Sequence, residues 1–318
     1  MKAIVFTRYG PPEVLQLKDV EKPAPNDSEV LVQIHAASAN PADLSMRGAF
    51  VARLFLGLRK PRNTRLGKDI AGRVEAVGNN VTQFKPGDEV FGACEGGFAE
   101  FAAAHENRLA LKPARSSFEE AAAVPVAAIT ALQGLRDKGK IQLGQKVLIN
   151  GASGGVGTFA VQIAKSFGAE VTAVCSTGSL DIVHSIGADQ VIDYTREDFT
   201  RNGQRYDLIL AVNGYHPILD YRRALSPRGI YIVVGGSLAQ IFQGMVLGPM
   251  ISNTGRQKMG FMGIAKLNQK DLFFLKELLE AGKVAPVIDR RYPLRETAEA
   301  LRYLEKGHAR GKVVIIVE

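Results

Sequence analysis

A glycine-rich stretch directly after a short apolar segment is the strongest candidate for chemistry in this 318-residue chain. Residues 146–149 are predicted to form a buried strand, and apolar side chains at helical spacing predict a helix over residues 158–167. Between them, residues 151–157 read Gly-Ala-Ser-Gly-Gly-Val-Gly. A glycine turn between strand and helix lets the free N–H groups at the helix start face a phosphate, so this stretch predicts a dinucleotide-binding turn.

The same letters also fit the G-x-S-x-G nucleophile elbow of α/β-hydrolases, in which Ser153 would be the nucleophile. That chemistry requires an acid and then a histidine later in the chain, and Asp207 and His308 stand in that order. Gly157 favours the dinucleotide interpretation, because close packing of helix on strand needs a glycine that a hydrolase elbow does not. Hydrolysis stays as the minor alternative.

The residues after the second predicted strand, 170–174, bear on which dinucleotide would bind. That strand is followed by Cys-Ser-Thr-Gly-Ser, with no acidic residue where an NAD site places one for the ribose. The hydroxyls of Ser176 and Thr177 can donate hydrogen bonds to a 2′-phosphate, which an acid would repel. The first basic residue after that strand is Arg196. These features favour NADPH, with NADH as the alternative.

Histidines and cysteines give no sign of a metal site. None of the five histidines stands at ligand spacing from another His, Cys or Glu. The two cysteines, Cys94 and Cys175, form neither a CxxC pair nor a disulfide framework. We therefore expect no bound metal and a reducing, cytoplasmic location.

The composition is that of an ordinary globular protein, with 46% hydrophobic and 23% charged residues. The net charge of +8 includes one dense basic cluster within residues 53–68, formed by Arg53, Arg59, Lys60, Arg62, Arg65 and Lys68. Such a cluster could contact a nucleic acid or a membrane surface, or it could be a basic loop near an anionic cofactor. The alternative function is therefore an NADPH-binding protein with a nucleic-acid or membrane-surface role. We expect no stable nucleic-acid partner, and keep weak membrane-surface contact through residues 53–68 as an alternative.

The surrounding elements divide the chain into a β-rich part and an alternating part. Residues 1–115 contain short strands separated by Gly and Pro, which predicts a small barrel or sandwich. From residue 146 onward, strands predicted at 146–150, 170–174, 190–193, 206–212 and 229–234 alternate with helices near 154–167, 179–186 and 216–225. This alternation is typical of a doubly wound parallel sheet. Residues 237–267 are apolar but interrupted by glycines and a proline, which is compatible with a pocket lining, a subunit contact or a pair of core helices.

Ordered motifs extend along nearly the whole chain. They include Asn40-Pro41-Ala42-Asp43, Gly67-Lys68-Asp69, Lys85-Pro86-Gly87-Asp88, the Gly151–Gly157 turn, Gly187-Ala188-Asp189 and Gly311-Lys312-Val313. In these motifs the chain resembles the zinc-free medium-chain dehydrogenases/reductases, specifically the branch of quinone oxidoreductases and alkenal/enone reductases. The resemblance implies an α/β protein with a GroES-like β-barrel catalytic domain at 1–118 and a Rossmann domain at 119–265. It further implies a C-terminal return to the catalytic domain at 266–318, and a homodimer.

The resemblance also implies the loss of zinc. Zinc-dependent relatives hold the metal with a Cys before the residue matching Asp43 and a His-Glu pair after the one matching Gly67. This chain has no Cys before Asp43, and Lys68-Asp69 replaces the His-Glu pair.

Site residues follow from the same resemblance, together with the hydroxyls after the second strand. The implied cofactor-binding residues are Asn40, Thr130, Ser153, Gly154, Gly155, Val156, Gly157, Ser176, Thr177, Tyr194, Val212, Asn213, Gly235, Gly236 and Lys312. The implied catalytic residues are Asn40, Asp43 and Lys68.

These residues suggest a mechanism as a hypothesis. NADPH gives hydride to a quinone, enal or enone, and the acceptor oxygen then gains negative charge. Without zinc, that charge needs hydrogen-bond donors, for which Asn40 and Lys68 are the candidates. Solvent can supply the final proton.

Overall fold

The computed structural model of the protein describes residues 1–47, 61 and 64–317. The described chain divides into two compact units. The first comprises residues 1–127, 267–280 and 286–318, and the second comprises residues 128–266 and 281–285. Four members of the predicted basic cluster lie outside the described residues: Arg53, Arg59, Lys60 and Arg62.

The strands and helices are numbered in chain order. The strands are β1 (Lys2–Val5), β2 (Gln16–Asp19), β3 (Glu29–Ala39), β4 (Asp69–Val77), β5 (Glu89–Ala93), β6 (Phe101–His105), β7 (Leu109–Leu111), β8 (Lys146–Asn150), β9 (Glu170–Cys175), β10 (Gln190–Asp193), β11 (Tyr206–Ala211), β12 (Leu225–Val233), β13 (Lys258–Phe261), β14 (Ile288–Pro293) and β15 (Lys312–Ile316). The α-helices are α1 (Phe118–Ala122), α2 (Pro125–Leu132), α3 (Gly155–Ser166), α4 (Leu180–Ser185), α5 (Ile218–Ala224), α6 (Leu238–Thr254), α7 (Gln269–Glu280) and α8 (Thr297–Glu305).

The first unit is built around β3, which pairs with three other strands. Its main sheet runs β14-β15-β3-β4-β5-β7, and β6 pairs with the first half of β3. The β3–β4 ladder shifts register twice, and such bulges bend a strand so that its sheet can curve. The curved sheet encloses an apolar core that includes Ile4, Val32 and Phe98. The predicted barrel is confirmed.

The second unit is a six-stranded parallel sheet in the order β10-β9-β8-β11-β12-β13. Every neighbouring pair is parallel. The central strands read as apolar runs because both of their faces are covered, and Val147, Leu148 and Ile149 are fully buried. The predicted doubly wound sheet is confirmed, and β13 is an additional strand within the segment 237–267.

Helix α6 occupies most of the apolar segment 237–267, where a pair of core helices was one of the alternatives. A Cβ on Gly244 would lie 2.4 Å from a methyl carbon of Val233, and one on Gly248 would lie 2.6 Å from the Met259 carbonyl oxygen. The glycines therefore form the face that packs on β12 and β13, instead of breaking the helix. Large apolar side chains on α6 stay exposed, including Leu238, Phe242, Met245 and Met250.

The unit boundaries differ from the predicted division at 118/119 and 265/266. Residues 119–127 group with the first unit, because α1 packs on β3 and β4. Residues 281–285 group with the second unit, because the Gln162 side chain makes two hydrogen bonds of 2.8 and 2.9 Å with the backbone of Ala285.

Among the described residues, no helix combines the length and the apolar character that crossing a membrane requires.

Candidate functional site

A group of buried polar side chains lies in the first unit; we name it the Asp69 cluster, formed by Ser38, Asn40, Asp69 and Lys312. Asp69 is fully buried, and its Oδ2 accepts hydrogen bonds from Ser38 Oγ at 2.8 Å and Asn40 Nδ2 at 2.9 Å. The Lys312 ammonium lies 3.3 Å from the same oxygen. The other oxygen, Oδ1, accepts the Val126 N–H at 2.9 Å. Four donors therefore surround this buried carboxylate.

Strand register brings these residues together. β3 runs antiparallel to both β4 and β15, so the end of β3 meets the beginnings of the other two strands. Ser38 is directly opposite Asp69 in the β3–β4 ladder, and Lys312 is the first residue of β15. The cluster is thus assembled from three strand ends that are far apart in sequence.

Lys312 is a buried ammonium whose donors are all used. Its side chain is 3% exposed, and Nζ lies 2.7 Å from Asn40 Oδ1, 3.3 Å from Asp69 Oδ2 and 3.4 Å from the Ala39 carbonyl oxygen. An ammonium has three N–H donors, and three acceptors surround this one. The predicted contact with a cofactor stays a prediction, and the structure assigns this side chain to the Asp69 cluster.

Asn40 is also fully engaged within the first unit. Its Nδ2 donates to Asp69 Oδ2 at 2.9 Å and to the Ser38 carbonyl at 3.4 Å, while its Oδ1 accepts from Lys312. Donation to an acceptor oxygen, as hypothesised from the sequence, would require one of these bonds to break.

Asp43 lies next to the cluster and is held by backbone donors. Its Oδ2 accepts the Asn40 N–H at 2.8 Å, and its Oδ1 accepts the Gly67 N–H at 3.2 Å. Burial raises the pKa of Asp43 to about 6, against the opposing effect of the two N–H groups. Gly67 itself is required there, because its φ is +92° and a Cβ would lie 2.6 Å from the Phe98 nitrogen.

Lys68, the third predicted catalytic residue, points away from the cluster. Its side chain is 44% exposed, and Nζ lies 3.5 Å from Glu95 Oε1. The structure therefore brings Asn40 and Asp43 together and leaves Lys68 on the surface of the first unit.

The glycine turn of the second unit lies between β8 and α3. Gly151 has a φ of +84°, and a Cβ there would lie 2.8 Å from the Asn213 nitrogen. A Cβ on Gly157 would lie 2.1 Å from the Gly151 carbonyl oxygen, so Gly157 allows helix and turn to pack closely. Gly154, by contrast, has open space, since the nearest atom to its Cβ position is 3.9 Å away. It precedes α3 without a side-chain cap, so the first N–H groups of α3 are left for another acceptor.

Most of the predicted cofactor residues lie at the carboxyl ends of the parallel strands. Ser153–Gly157 follow β8, Ser176 and Thr177 follow β9, and Tyr194 follows β10. Val212 and Asn213 follow β11, and Gly235 and Gly236 follow β12. The chain passes from β8 outward to β9 and β10 and then returns to β11, so β8 and β11 flank the point where the strand order reverses. Thr130, the remaining one in this unit, lies half-buried in α2.

A buried network that the sequence did not reveal supports this edge. Asn150 Nδ2 donates to the Gly214 carbonyl at 3.1 Å and to Tyr221 Oη at 2.8 Å. Tyr221 in turn donates to Gly214 at 2.9 Å, and Gln240 Nε2 lies 3.3 Å from the tyrosine oxygen. The network fixes residues 212–214 over Gly151. An amide directly before the glycine turn was its one visible signal.

The hydrolase alternative is wrong. Asp207 Oδ2 accepts the Lys146 N–H at 3.0 Å, at the amino ends of β11 and β8. Ser153 follows the carboxyl end of β8, and the two strands are parallel. The acid and the serine are therefore at opposite edges of one sheet.

Comparisons with known proteins give two family models that match parts of the chain. Residues 26–114 match the family model described as alcohol dehydrogenase GroES-like domain, and residues 186–315 match the one described as zinc-binding dehydrogenase. A 2-methylene-furan-3-one reductase from Solanum lycopersicum is 37% identical over 99% of this chain and 79% of its own length. The chain belongs to the medium-chain dehydrogenase/reductase family.

Two further members of the medium-chain dehydrogenase/reductase family are similar over almost the whole chain. An NADPH-dependent alkenal/one oxidoreductase from Arabidopsis thaliana, described as chloroplastic, is 34% identical over 99% of this chain and 79% of its own length. The solved structure of the quinone oxidoreductase from Coxiella burnetii superposes with a TM-score of 0.87 and 31% identity, covering 100% of this chain and 99% of that one.

A nicotinamide dinucleotide, the cofactor that this family implies, fits the second unit. The open space at Gly154 and the uncapped start of α3 leave room and donors for a pyrophosphate. Zinc, in contrast, has no evident ligand set: within residues 1–47, 61 and 64–317 no three His, Cys, Asp or Glu residues are grouped so that they could hold a metal ion.

Proposed function

We propose that this protein is an NADPH-dependent, zinc-independent oxidoreductase that transfers hydride to a quinone or an α,β-unsaturated carbonyl compound. The observation that carries the proposal is the glycine turn beside β8 and β11, which has room and free donors for a dinucleotide pyrophosphate. The printed names of the relatives, among them an alkenal/one oxidoreductase and a quinone oxidoreductase, support this class of acceptor.

The bound nicotinamide would supply the hydride. The residues of the chain would bind and orient the cofactor and stabilise the charge that develops on the acceptor. The first N–H groups of α3 would hold the pyrophosphate, and the Asn150 network keeps residues 212–214 in place at the glycine turn. As the acceptor carbon gains hydride, its oxygen gains negative charge, which a donor must stabilise. Lys68 is the candidate with a charge to offer, because the Asn40 amide and the Lys312 ammonium are already engaged. Solvent supplies the final proton.

The donor chemistry of the first unit supports zinc independence. Four donors surround the Asp69 carboxylate, and one of them is the positively charged Lys312. A cation at this carboxylate would have to displace the ammonium and overcome its repulsion. No Cys stands before Asp43, and Lys68 stands where the resemblance places the zinc-binding His, so neither position offers a metal-ligating side chain of that kind.

Reductase activity is tested by following the loss of reduced-nicotinamide absorbance with a panel of acceptors in the presence of EDTA. The panel holds 1,4-benzoquinone, 9,10-phenanthrenequinone, acrolein and a longer 2-alkenal, and NADH runs in parallel with NADPH. An aliphatic alcohol with NADP⁺ tests the reverse chemistry. Turnover of a quinone or enone despite EDTA is the expected result. Loss of that turnover in EDTA would contradict zinc independence, and absence of nucleotide binding would contradict the proposal as a whole.

We further propose that the protein is a cytoplasmic homodimer. Both cysteines are free and buried, as expected for a reducing compartment. Helix α6 has no charged residue and exposes Phe242 at 62% and Met250 at 61%, which suits an apolar contact with a second copy. Light scattering on the eluting protein should give twice the chain mass, and Phe242→Glu should lower it. Cell fractionation tests the location.

The alternative role at a nucleic acid or membrane surface has little support. Arg65 and Lys68 are the members of the basic cluster that the structure describes, and Lys68 is paired with Glu95. Steeply salt-dependent binding to DNA or to anionic vesicles would favour that alternative.

A further inference from the structure

The segment that follows β10 lies against the end of β9. The two strands are parallel, and Asp193 is in register with Cys175, the last residue of β9. The Tyr194 N–H donates to the Cys175 carbonyl at 3.1 Å. Residues 193–196 therefore border Ser176 and Thr177, which follow β9 and were predicted to contact the adenosine side of the cofactor.

Asp193 ties the two segments together. Its Oδ2 accepts Thr177 Oγ1 at 2.5 Å, and its Oδ1 accepts the Thr195 N–H at 3.0 Å and Thr195 Oγ1 at 2.7 Å. The Thr177 hydroxyl is the largest of the influences that keep the pKa of Asp193 below its ordinary value. The carboxylate is thus charged and supplied with three donors, and its side chain is 8% exposed. It holds the loop in place and leaves little capacity for a ribose hydroxyl.

Arg196 is the cation that this arrangement brings to the end of β9. Its Nε lies 3.6 Å from Asp193 Oδ2, the oxygen that also accepts Thr177. The Arg196 side chain is 75% exposed, so most of its guanidinium surface faces solvent. The turn after β9 has no cationic side chain of its own, since it reads Ser-Thr-Gly-Ser. Arg196 reaches the same place from the neighbouring strand.

We infer that Arg196 is the specificity-determining residue that binds the 2′-phosphate of NADPH, together with the hydroxyls of Ser176 and Tyr194. A guanidinium presents paired N–H donors that match a phosphate, and charge-assisted bonds of this kind are stronger than neutral ones. A ribose with a free 2′-hydroxyl offers no such charge. This inference rests on the proposed function, because it assumes that the second unit binds a nicotinamide dinucleotide.

The two acids that follow Arg196 have hydrogen-bond partners other than Arg196. The Glu197 carboxylate accepts Asn202 Nδ2 at 2.9 Å, and Asp198 accepts the hydroxyl of Thr200 at 2.7 Å. Asp198 also lies 3.4 Å from Arg201. Glu197 and Asp198 are therefore engaged elsewhere, and among the described residues Asp193 is the acid that pairs with Arg196.

A second Asp-aromatic-Thr-Arg sequence follows the first, and its arginine can serve as the control for Arg196. Residues 193–196 read Asp-Tyr-Thr-Arg, and residues 198–201 repeat the pattern as Asp-Phe-Thr-Arg. In the second copy Asp198 again accepts the N–H and hydroxyl of the following threonine, and Arg201 is 78% exposed. The aromatic residues differ, since Tyr194 is 59% exposed and Phe199 is 1% exposed. The second copy turns its ring into the core, whereas the first presents its ring beside the end of β9.

The test compares two nucleotides that differ only in the 2′-phosphate. Full-length protein is titrated calorimetrically with 2′,5′-ADP and with 5′-AMP, for wild type, Arg196→Ala, Arg196→Lys and Arg201→Ala. We expect Arg196→Ala to weaken 2′,5′-ADP binding about tenfold and to change 5′-AMP binding less than about twofold. Arg196→Lys should recover part of the loss, and Arg201→Ala should alter neither nucleotide. Added salt should reduce the difference, because the contact is exposed.

Two results would overturn the inference while the proposed function stands. One is an equal effect of Arg196→Ala and Arg201→Ala on 2′,5′-ADP in a protein that still oxidises NADPH. The other is a wild type that binds 5′-AMP as tightly as 2′,5′-ADP and turns over with NADH. A wild type that binds no nucleotide would overturn the inference and the proposed function together, which distinguishes the two failures.

Discussion

The two units contain polar centres of opposite construction. The Asp69 cluster of the first unit is filled with charge, and every donor of Lys312 and Asn40 has an acceptor within the unit. The glycine turn of the second unit depends on glycines, which have no side chain, and no side chain caps the first N–H groups of α3. The polar groups of the first centre bond to one another, as expected of a structural role. The backbone donors of the second centre are available to a ligand, as expected of a binding site.

This contrast teaches where mutations should be felt. Removing one member of a saturated buried cluster leaves another charge unpaired, so stability should suffer first. Adding a methyl group to an open turn costs stability only where the protein itself occupies the space, and elsewhere it should affect binding alone. The following predictions test that division in order of decreasing effect.

The largest effect is expected from Lys312→Met. The substitution leaves the fully buried Asp69 carboxylate without its cation, which should lower the free energy of unfolding by about 3–5 kcal/mol. Urea denaturation measures it. The control is Lys165→Met: that lysine lies 2.8 Å from Asp189 but is 34% exposed, so its loss should cost less than about 1 kcal/mol. Equal losses of unfolding free energy in the two variants would mean that Lys312 in the buried Asp69 cluster contributes no more to stability than a partly exposed ion pair does.

Asp43 should give the next largest effect, as a pH dependence. Its folded-state pKa of about 6 is above the value of 3.8 for an unperturbed carboxyl, so the folded state holds its proton more tightly. Its contribution to stability is complete below pH 3.8 and is lost as the pH rises through about 6. Relative to Asp43→Asn, wild type should lose about 3 kcal/mol of unfolding free energy across that interval. A difference that stays constant from acid to neutral pH would contradict the raised pKa.

The glycine turn should separate stability from binding. Gly157→Ala places a Cβ 2.1 Å from the Gly151 carbonyl oxygen and should cost about 1–3 kcal/mol of stability through overpacking. Gly154→Ala meets no atom closer than 3.9 Å, so its stability should change by less than about 0.5 kcal/mol while NADPH affinity falls. Thermal unfolding and calorimetric titration give the two quantities. An unchanged affinity in Gly154→Ala would show that the open space is not the phosphate site.

Lys68→Ala should have the smallest effect. If its ammonium stabilises the acceptor oxygen, kcat should fall about tenfold, or about 1.4 kcal/mol, with stability nearly unchanged because the side chain is 44% exposed. The control is Glu95→Gln, which removes the carboxylate that pairs with Lys68 and leaves the charge of Lys68 in place. Turnover that is the same in Lys68→Ala and wild type would remove Lys68 from the mechanism.

Sequence reasoning predicted the second unit well because its signals are local. Apolar runs such as 147–149 are followed by glycine turns and helices, and a doubly wound parallel sheet is predicted from that alternation. It did not identify α6, because the glycines were read as interruptions of the apolar run, whereas Gly244 and Gly248 allow close packing on β12 and β13. Helix-breaking composition and close packing look alike until the neighbouring strand is known.

The Asp69 cluster could not be predicted in the same way. Its members come from three strands, and only the register of β3 with β4 and β15 brings them together. Lys312 was assigned to the cofactor from the family resemblance, and its burial beside Asp69 could not be read from the sequence because lysine is rarely buried. Asn150 and Asp193 escaped notice for a related reason, since each acts through hydrogen bonds to a neighbouring segment.

The distance between Asp69 and Lys312 along the chain also sets an order of assembly. The two residues are 243 positions apart, and the whole second unit lies between them. During synthesis the second unit emerges as one almost continuous stretch, whereas the first must wait for β15, which follows the second unit in the chain. Until β15 is present, the Asp69 carboxylate lacks the Lys312 cation, so its burial costs more free energy. The nascent amino-terminal part should therefore stay protease-sensitive until β15 has been synthesised.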